Sequence, residues 1–174
     1  MTRIAIDAMG GDHAPHEIVA GAVWAAQDYG VALELVGKQD RIEQELDRIS
    51  HEGFYSDCGK AGKQHRIKID TSKLDIKITH ASEIIEMGEA PGQAIRKKKK
   101  SSIVLAVDAV ATGSSDAVVA AGSTGAAMAS SLFGLGRIPG IDRPAIAVTL
   151  PTIKRPIVVI DAGANSNCSP EMLY

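Results

Sequence analysis

The sequence predicts an α/β protein with a mostly parallel β-sheet. Hydrophobic residues make up 45% of the chain but aromatic residues only 3%, so aliphatic side chains must form the core, which is typical of buried parallel strands. Short apolar runs alternate with segments of helical periodicity. The first two runs are separated by 24 residues, a length that suits a strand-helix-strand crossover. Together these observations favour helices packed on a parallel sheet.

The first elements follow this alternation closely. Residues 4–6 form a short apolar run, and Pro15 stands where a first helical residue is favoured. Apolar residues at helical spacing follow over 18–29, and "VALELV" at 31–36 alternates like a strand. A second helix is predicted over 42–49 from apolar residues at steps of four and three.

The middle of the chain is less regular. Residues 51–72 are rich in Gly, Lys, His and Ser without a period, and are predicted to form a surface loop. Strand alternation returns at 74–78. Residues 101–113 are predicted to be a helix because of their length, their Ser-Ser start and their final glycine.

Four more elements are predicted toward the C-terminus. "DAVVAAG" at 116–122 is predicted as a fully buried strand and 123–136 as a helix of small residues. Two further buried strands are predicted at 145–150 and 156–163. We expect a single α/β domain over 1–174, or the N-terminal part of a longer α/β enzyme.

Composition argues against several classes of function. The formal net charge of −2 does not supply the strong positive field that non-specific nucleic-acid binding requires. Cys58 and Cys168 are too few for a disulfide framework and show no CxxC spacing, which favours a reducing, cytoplasmic location. No apolar run reaches the ~18 residues that span a bilayer. Asp12, His13 and His16 lack the further ligands that a metal site needs.

Three predicted strands end in loops that combine small residues with polar ones. They are "DAMGGD" at 7–12, "AGSTGAAM" at 121–128 and "DAGANSNC" at 161–168. In an open parallel sheet, ligands bind beyond the carboxyl ends of the strands. The middle loop opens a helix, whose free N–H groups and dipole suit an anion. The alternative for each loop is structural. Asp12 would cap the helix after the first loop, and Ser123 or Thr124 would cap the helix after the second, with its glycines easing packing. Asp161, Gly163 and Asn165 would only shape a turn.

The segments "IAIDAMGGDHAP", "HASEIIEMGEAPGQAIRKKKKSS", "AGSTGAAMA" and "DAGANSNCSPEML" run in one order over nearly the whole chain. Together they resemble the phosphate acyltransferases of bacterial phospholipid synthesis, the PlsX family. The resemblance implies a three-layer α/β/α sandwich similar to the isocitrate and isopropylmalate dehydrogenase fold. It also implies transfer of an acyl group from acyl carrier protein to inorganic phosphate. Family members are much longer, so this chain resembles their N-terminal half.

The implied reaction needs no activated protein nucleophile, because phosphate is already anionic and a thiol with a pKa near ~8.5 is a good leaving group. The site would position phosphate and stabilise the developing oxyanion. We expect Asn165 to be the amide donor, with Asp161 orienting it, and Asp7 to brace the neighbouring loops. The expected phosphate- or substrate-binding residues are Gly10, Gly11, Asp12, Gly122, Ser123, Thr124, Gly125 and Gly163. The implied reaction requires no metal ion and no cofactor.

The resemblance also implies partners. We expect acyl carrier protein to be a partner and the chain to form a homodimer with a second copy of itself. We also expect peripheral association with a membrane surface. The basic run "RKKKK" consists of Arg96, Lys97, Lys98, Lys99 and Lys100. It is either the charged end of a helix, where cations suit the dipole, or a docking site for the acidic carrier protein.

Two alternatives to an acyltransferase stay open. One is a nucleotide-dependent dehydrogenase of the same broad fold, for which "GLGRIPG" at 134–140 is a weak fingerprint because it follows a predicted helix. The other is a non-catalytic module that binds a carrier protein or a membrane surface. The resemblance favours the acyltransferase.

Overall fold

The computed structural model describes residues 1–56, 65–141 and 144–160. The chain divides into two compact units, Met1–Leu135 and Gly136–Tyr174. The first unit contains the following helices and strands in chain order: β1 (Arg3–Asp7), α1 (His16–Tyr29), β2 (Ala32–Gly37), α2 (Gln39–His51), β3 (Phe54–Ser56), β4 (His65–Ile67), a short 3-10 helix (Thr71–Lys73), β5 (Ile76–His80), α3 (Pro91–Lys97), α4 (Ser102–Ala111), β6 (Ala117–Val119) and α5 (Thr124–Gly134). The second contains β7 (Ala147–Leu150) and β8 (Ile157–Ile160).

The first unit is built on a four-stranded parallel sheet in the order β5-β2-β1-β6. In its centre, β1 pairs with β2 on one side and with β6 on the other. Because all four strands run in the same direction, their carboxyl ends lie at one edge of the sheet. The structure confirms the predicted α/β class and the predicted parallel sheet.

Helices cover both faces of this sheet. Along β2, Leu33 and Leu35 point into a core that α1 and α2 complete, whereas Val36 points into a second core against α4. This alternation follows from the two-residue period of a strand. The aliphatic side chains of β2 are therefore buried on both sides, as the composition indicated.

The predicted helices form because their apolar residues recur on one face. In α1, Val19, Val23 and Ala26 are buried, and the helix ends where Gly30 takes a left-handed conformation with φ of 63°. Residues 102–111 are helical, as predicted, with Ser101 at the N-cap position. Among the described residues, no helix has the length and apolar character needed to cross a membrane.

The prediction of a surface loop over 51–72 is wrong at both ends of that region. Strands β3 and β4 pair there in antiparallel fashion. The cause is burial of two apolar side chains: Phe54 packs against Trp24 with ring centroids 6.0 Å apart, and Ile69 is 2% exposed. Phe54 thus packs against α1, and Ile69 is buried in the same core cluster.

The prediction of three fully buried strands beyond residue 115 is also wrong. In the first unit Val119 of β6 is 51% exposed, because β6 pairs with one strand only and ends the described sheet. In the second unit β7 and β8 pair with each other in antiparallel fashion, and their residues are mostly exposed. The connection between them is short and is closed by the Thr152 hydroxyl, which donates to the carbonyl of Arg155 at 2.6 Å.

Candidate functional site

Two of the three predicted ligand-binding loops meet at the carboxyl edge of the sheet. The loops after β1 and β6 leave neighbouring parallel strands, so they start side by side. Their backbones then touch: a Cβ atom added to Gly122 would lie 2.9 Å from the Cα of Gly10. A Cβ atom on Gly10 would lie 3.2 Å from the Cα of Gly122. Each glycine is therefore needed for the other loop to pack against it.

This contact adds a reason for the glycines that the sequence did not reveal. We expected Gly10 and Gly11 to let a ligand approach the first strand. In the structure the backbone of the second loop occupies the space beside Gly10, while Gly11 has a φ of +121°, which side-chain-bearing residues rarely adopt. A Cβ atom on Gly11 would lie 3.3 Å from the carbonyl oxygen of Ala121. The two glycines thus shape the loop pair directly.

Helix α5 begins at this loop pair and presents free backbone donors. Ser123 is its N-cap, and its hydroxyl oxygen accepts a hydrogen bond from the Ala126 N–H at 3.3 Å. The structural alternative, a capping serine, is therefore observed. The N–H groups of Thr124 and Gly125 have no acceptor among the described residues. Such first-turn donors, together with the positive end of the helix dipole, favour an anion.

The start of α3 packs against the same point. A Cβ atom on Gly125 would lie 2.7 Å from Cγ of Pro91, so Gly125 is needed for this approach. From Pro91, α3 runs seven residues to Lys97 and ends in the basic run. The predicted charged helix end is therefore present, with Arg96 and Lys97 in its last turn.

The residues of the basic run differ in what they contact. Lys98 donates to the carbonyl of Ile84 at 2.8 Å and pairs with Glu89. Arg96 lies over the ring of Phe133, 6.0 Å from its centroid. Lys97, Lys99 and Lys100 are exposed, and their side chains form no hydrogen bond or ion pair with other described residues. These three are the members of the run available to a partner.

Asp7 is the buried carboxyl group of the site. Its Oδ1 accepts a hydrogen bond from the Met9 N–H at 3.2 Å, and its side chain is 4% exposed. Burial raises the pKa of Asp7, and hydrogen bonds from the Ser102 side chain and from the Met9 and Gly10 backbone oppose this effect. The expected bracing role agrees with these contacts, whereas the part played by Ser102 was not predicted.

The remaining predicted site residues have different outcomes. Asp12 is exposed, and α1 begins without a side-chain cap, so the alternative that Asp12 caps this helix is wrong. Asp161, Gly163 and Asn165 lie outside the described residues, which end at Ile160. Their assignment to the site stays a prediction.

The parallel sheet, with helices on both faces, makes the first unit an open α/β fold. In this class of proteins, ligands bind beyond the carboxyl ends of the strands. The sequence model of one family, described as fatty acid synthesis protein, matches residues 2–57 and 58–174. The chain therefore belongs to the fatty acid synthesis protein family. This finding confirms the family resemblance drawn from the motifs.

Curated relatives carry a more specific name. The chain is 52% identical over 173 residues to the phosphate acyltransferase of Desulforamulus reducens, covering 99% of this chain and 46% of the relative. It is 49% identical over 168 residues to that of Pelotomaculum thermopropionicum, covering 97% and 43%. It is 47% identical over 174 residues to that of Trichodesmium erythraeum, covering 99% and 45%. The chain thus spans less than half the length of these relatives.

Proposed function

We propose that this chain is part of a phosphate acyltransferase that converts acyl-(acyl carrier protein) and inorganic phosphate to acyl phosphate and free carrier protein. The observation that carries the proposal is 52% identity to a phosphate acyltransferase over 99% of the chain. The loop pair at the carboxyl edge supports it, because the N–H groups of Thr124 and Gly125 at the start of α5, which have no acceptor among the described residues, suit a phosphate.

Phosphate binds at the start of α5 in this proposal. The N–H groups of Thr124 and Gly125 donate to its oxygens. The Ser123 hydroxyl already accepts a hydrogen bond from Ala126, and keeps its own proton to donate to phosphate. The contact between the two glycine loops holds these donors in place, with Asp12 at the exposed side of the first loop.

The reaction proceeds by attack of a phosphate oxygen on the thioester carbonyl carbon. A C–O bond forms, negative charge collects on the carbonyl oxygen, and the C–S bond then breaks to release the carrier thiolate. Phosphate brings its own charge, so the protein contributes orientation, worth roughly 7 to 11 kcal/mol in favourable systems, and oxyanion donors. Asn165 is proposed as the oxyanion or phosphate donor, with Asp161 orienting it and Gly163 shaping their loop.

The acidic carrier protein docks on the basic run. Helix α3 connects this run to Gly125, and its seven residues span about 10 Å at 1.5 Å per residue. A carrier bound by Lys97, Lys99 and Lys100 would therefore present its thioester near the loop pair. The proposal places this reaction in the cytoplasm, in a homodimer that associates with the membrane surface.

The test is phosphate-dependent release of carrier thiol from palmitoyl-(acyl carrier protein), read with a thiol reagent. The 174-residue chain is assayed first, and then the same chain joined to the C-terminal remainder of the Desulforamulus reducens relative. Release that requires phosphate is expected from the joined protein. The proposal is wrong if the joined protein folds but releases no thiol. It is also wrong if thiol release is equally fast without phosphate.

A glycine substitution links the activity to the loop pair. Gly122→Ala places a Cβ atom 2.9 Å from Gly10 and must push the loops apart. Misplacement by about 1 Å can cost ~100-fold in rate, so a fall of at least about tenfold in kcat/KM for phosphate is expected. Gly88→Ala is the matched control, since nothing lies within 4 Å of its Cβ position. Equal kcat/KM values for the two variants would show that the loop at Gly122 does not position phosphate.

A further inference from the structure

An apolar groove lies between α1 and the part of the sheet formed by β2, β1 and β6. Its volume is about 290 Å³, close to the lower end of the range for small-molecule sites. Aliphatic side chains form most of its lining, chiefly Ile4, Ile6, Leu33, Ile18, Ala22 and Val119. Among the described residues that line it, Glu17 alone carries a charge, and none is aromatic.

The groove is open because the two faces of β6 are covered differently. Val118 packs into the core cluster that contains residues of α4. Val119 points to the opposite face, where it is in register with Ile6, and it is 51% exposed. Contiguous apolar surface that stays exposed to solvent marks a site of binding. The groove at Val119 is therefore a candidate site for an apolar ligand.

Gly21 widens the groove from the side of α1. It lies in the middle of that helix, where glycine is one of the least favourable residues. A Cβ atom added to Gly21 would have no described atom within 4 Å outside the helix itself, so tight packing does not explain this glycine. The missing side chain instead leaves space in the groove, which Gly21 lines.

One end of the groove lies at the loop pair. Ala121 lines the groove, and its carbonyl oxygen lies 3.3 Å from the Cβ position of Gly11. Cδ1 of Ile18 lies 3.7 Å from the same position. From Ile18 the lining continues along α1 to Ala25, about 10 Å further along the helix axis. The groove therefore starts at the proposed reaction site and leads away from it between α1 and the sheet.

We propose that this groove holds the acyl chain of the substrate while the acyl carbonyl group lies at the loop pair. The inference rests on the proposed function, which supplies a substrate with a long aliphatic chain. A hydrocarbon chain needs no hydrogen-bond partner and no flat aromatic surface, and the aliphatic lining matches it in both respects. Each methylene group that the groove buries strengthens binding about fourfold.

A substitution at Gly21 fills the groove without disturbing the helix. In Gly21→Leu the new side chain starts from an open Cβ position, and leucine favours helices more than glycine does. Gly88→Leu is the matched control, because its Cβ position is equally open and Gly88 does not line the groove. Neither glycine belongs to the loop pair, so both variants keep the proposed phosphate site.

The affinities of the 174-residue chain for octanoic, decanoic and dodecanoic acid are measured by calorimetry. We expect the affinity to rise about fourfold per added methylene group until the groove is full. Gly21→Leu displaces at least about two methylene groups, so it should bind dodecanoic acid at least about tenfold more weakly, whereas Gly88→Leu should bind like the wild type. Equal affinities of the two variants overturn the proposal. So does an affinity for dodecanoic acid no higher than that for octanoic acid.

The joined protein separates this inference from the proposed function. If it binds the acids with the expected dependence on chain length but releases no carrier thiol, the groove is a site for an aliphatic chain and only the acyl transfer is wrong. If it releases thiol from dodecanoyl-(acyl carrier protein) with the same kcat/KM in Gly21→Leu and Gly88→Leu, the groove proposal alone is wrong. If joining the C-terminal remainder abolishes binding of the acids, that remainder covers the groove, and the proposal is again overturned.

Discussion

Glu34 offers a sharp test of the energetics of this fold. It lies in the middle of β2, 1% exposed, and is surrounded by donors from two segments, β5 and the loop after α4. Lys77 Nζ lies 2.8 Å from Oε1, and the Thr79 hydroxyl donates to the same oxygen at 2.7 Å. The hydroxyls of Ser114 and Ser115 donate to Oε2 at 2.8 and 2.9 Å. Burial opposes ionisation of Glu34, but these donors outweigh it and hold its pKa at about 2.

The size of the effect follows from that pKa. Taking 4.5 for the unfolded chain and about 2 for the folded protein, ionised Glu34 contributes about 3 kcal/mol of stability at neutral pH. Lys77 is 50% exposed, so solvent screens its pair with Glu34, and a loss of about 2 kcal/mol in Glu34→Gln is the more realistic figure. Because the pKa is lowered on folding, this stability is present above pH 4.5 and is lost as the pH falls toward 2.

The measurement is urea unfolding followed by the fluorescence of Trp24, which packs in the core of the same unit. Glu34→Gln should be less stable than wild type by about 2 kcal/mol at pH ~7, and the difference should shrink at pH ~3. Glu43→Gln on the exposed face of α2 is the matched control and should stay within about 0.5 kcal/mol. A Glu34→Gln variant as stable as this control, or one whose deficit is the same at both pH values, would refute the reasoning.

Two further predictions concern other parts of the first unit. Gly53→Ala should unfold at a lower urea concentration than Gly30→Ala. Both glycines have positive φ, so both substitutions strain the backbone. Only the Cβ atom on Gly53 also meets a carbonyl oxygen, that of Ile67, at 2.3 Å. Equal losses of unfolding free energy in the two variants would mean that β4 moves away from the added Cβ atom without cost. Replacing Lys97, Lys99 and Lys100 by Ala should weaken acyl carrier protein binding about tenfold at low salt and little at high salt, as measured by titration. A salt-independent loss, or none, would contradict docking on the basic run.

The sequence predicted those parts of the fold in which local periodicity and tertiary burial agree. The strands at 3–7 and 32–37 and the helix at 102–111 follow from the spacing of apolar residues, because each lies in the three-layer core of the first unit. The runs at 147–150 and 157–160 look the same in sequence. An apolar run does not specify which strand it pairs with, so their antiparallel pairing and exposure were missed.

The candidate site shows the same limit. Parallel strands place their carboxyl ends together, so the meeting of the loops after β1 and β6 could be predicted from the fold class alone. The contact of Gly10 with Gly122 could not. It joins residues more than a hundred positions apart, and a glycine carries no sequence signal for a particular distant neighbour.

The central place of β1 in the sheet sets an order of assembly. Strand β2 follows β1 after a single helix, whereas β6 joins it much later in the chain; the Arg3 N–H donates to Asp116 across 113 residues. Contacts of such long sequence separation form only after a large loss of chain entropy. The two glycine loops meet only once β6 has paired. A growing chain that has already folded its first helix and strands therefore lacks the contact between the two glycine loops, and with it the proposed phosphate site, until the start of α5 has been synthesised.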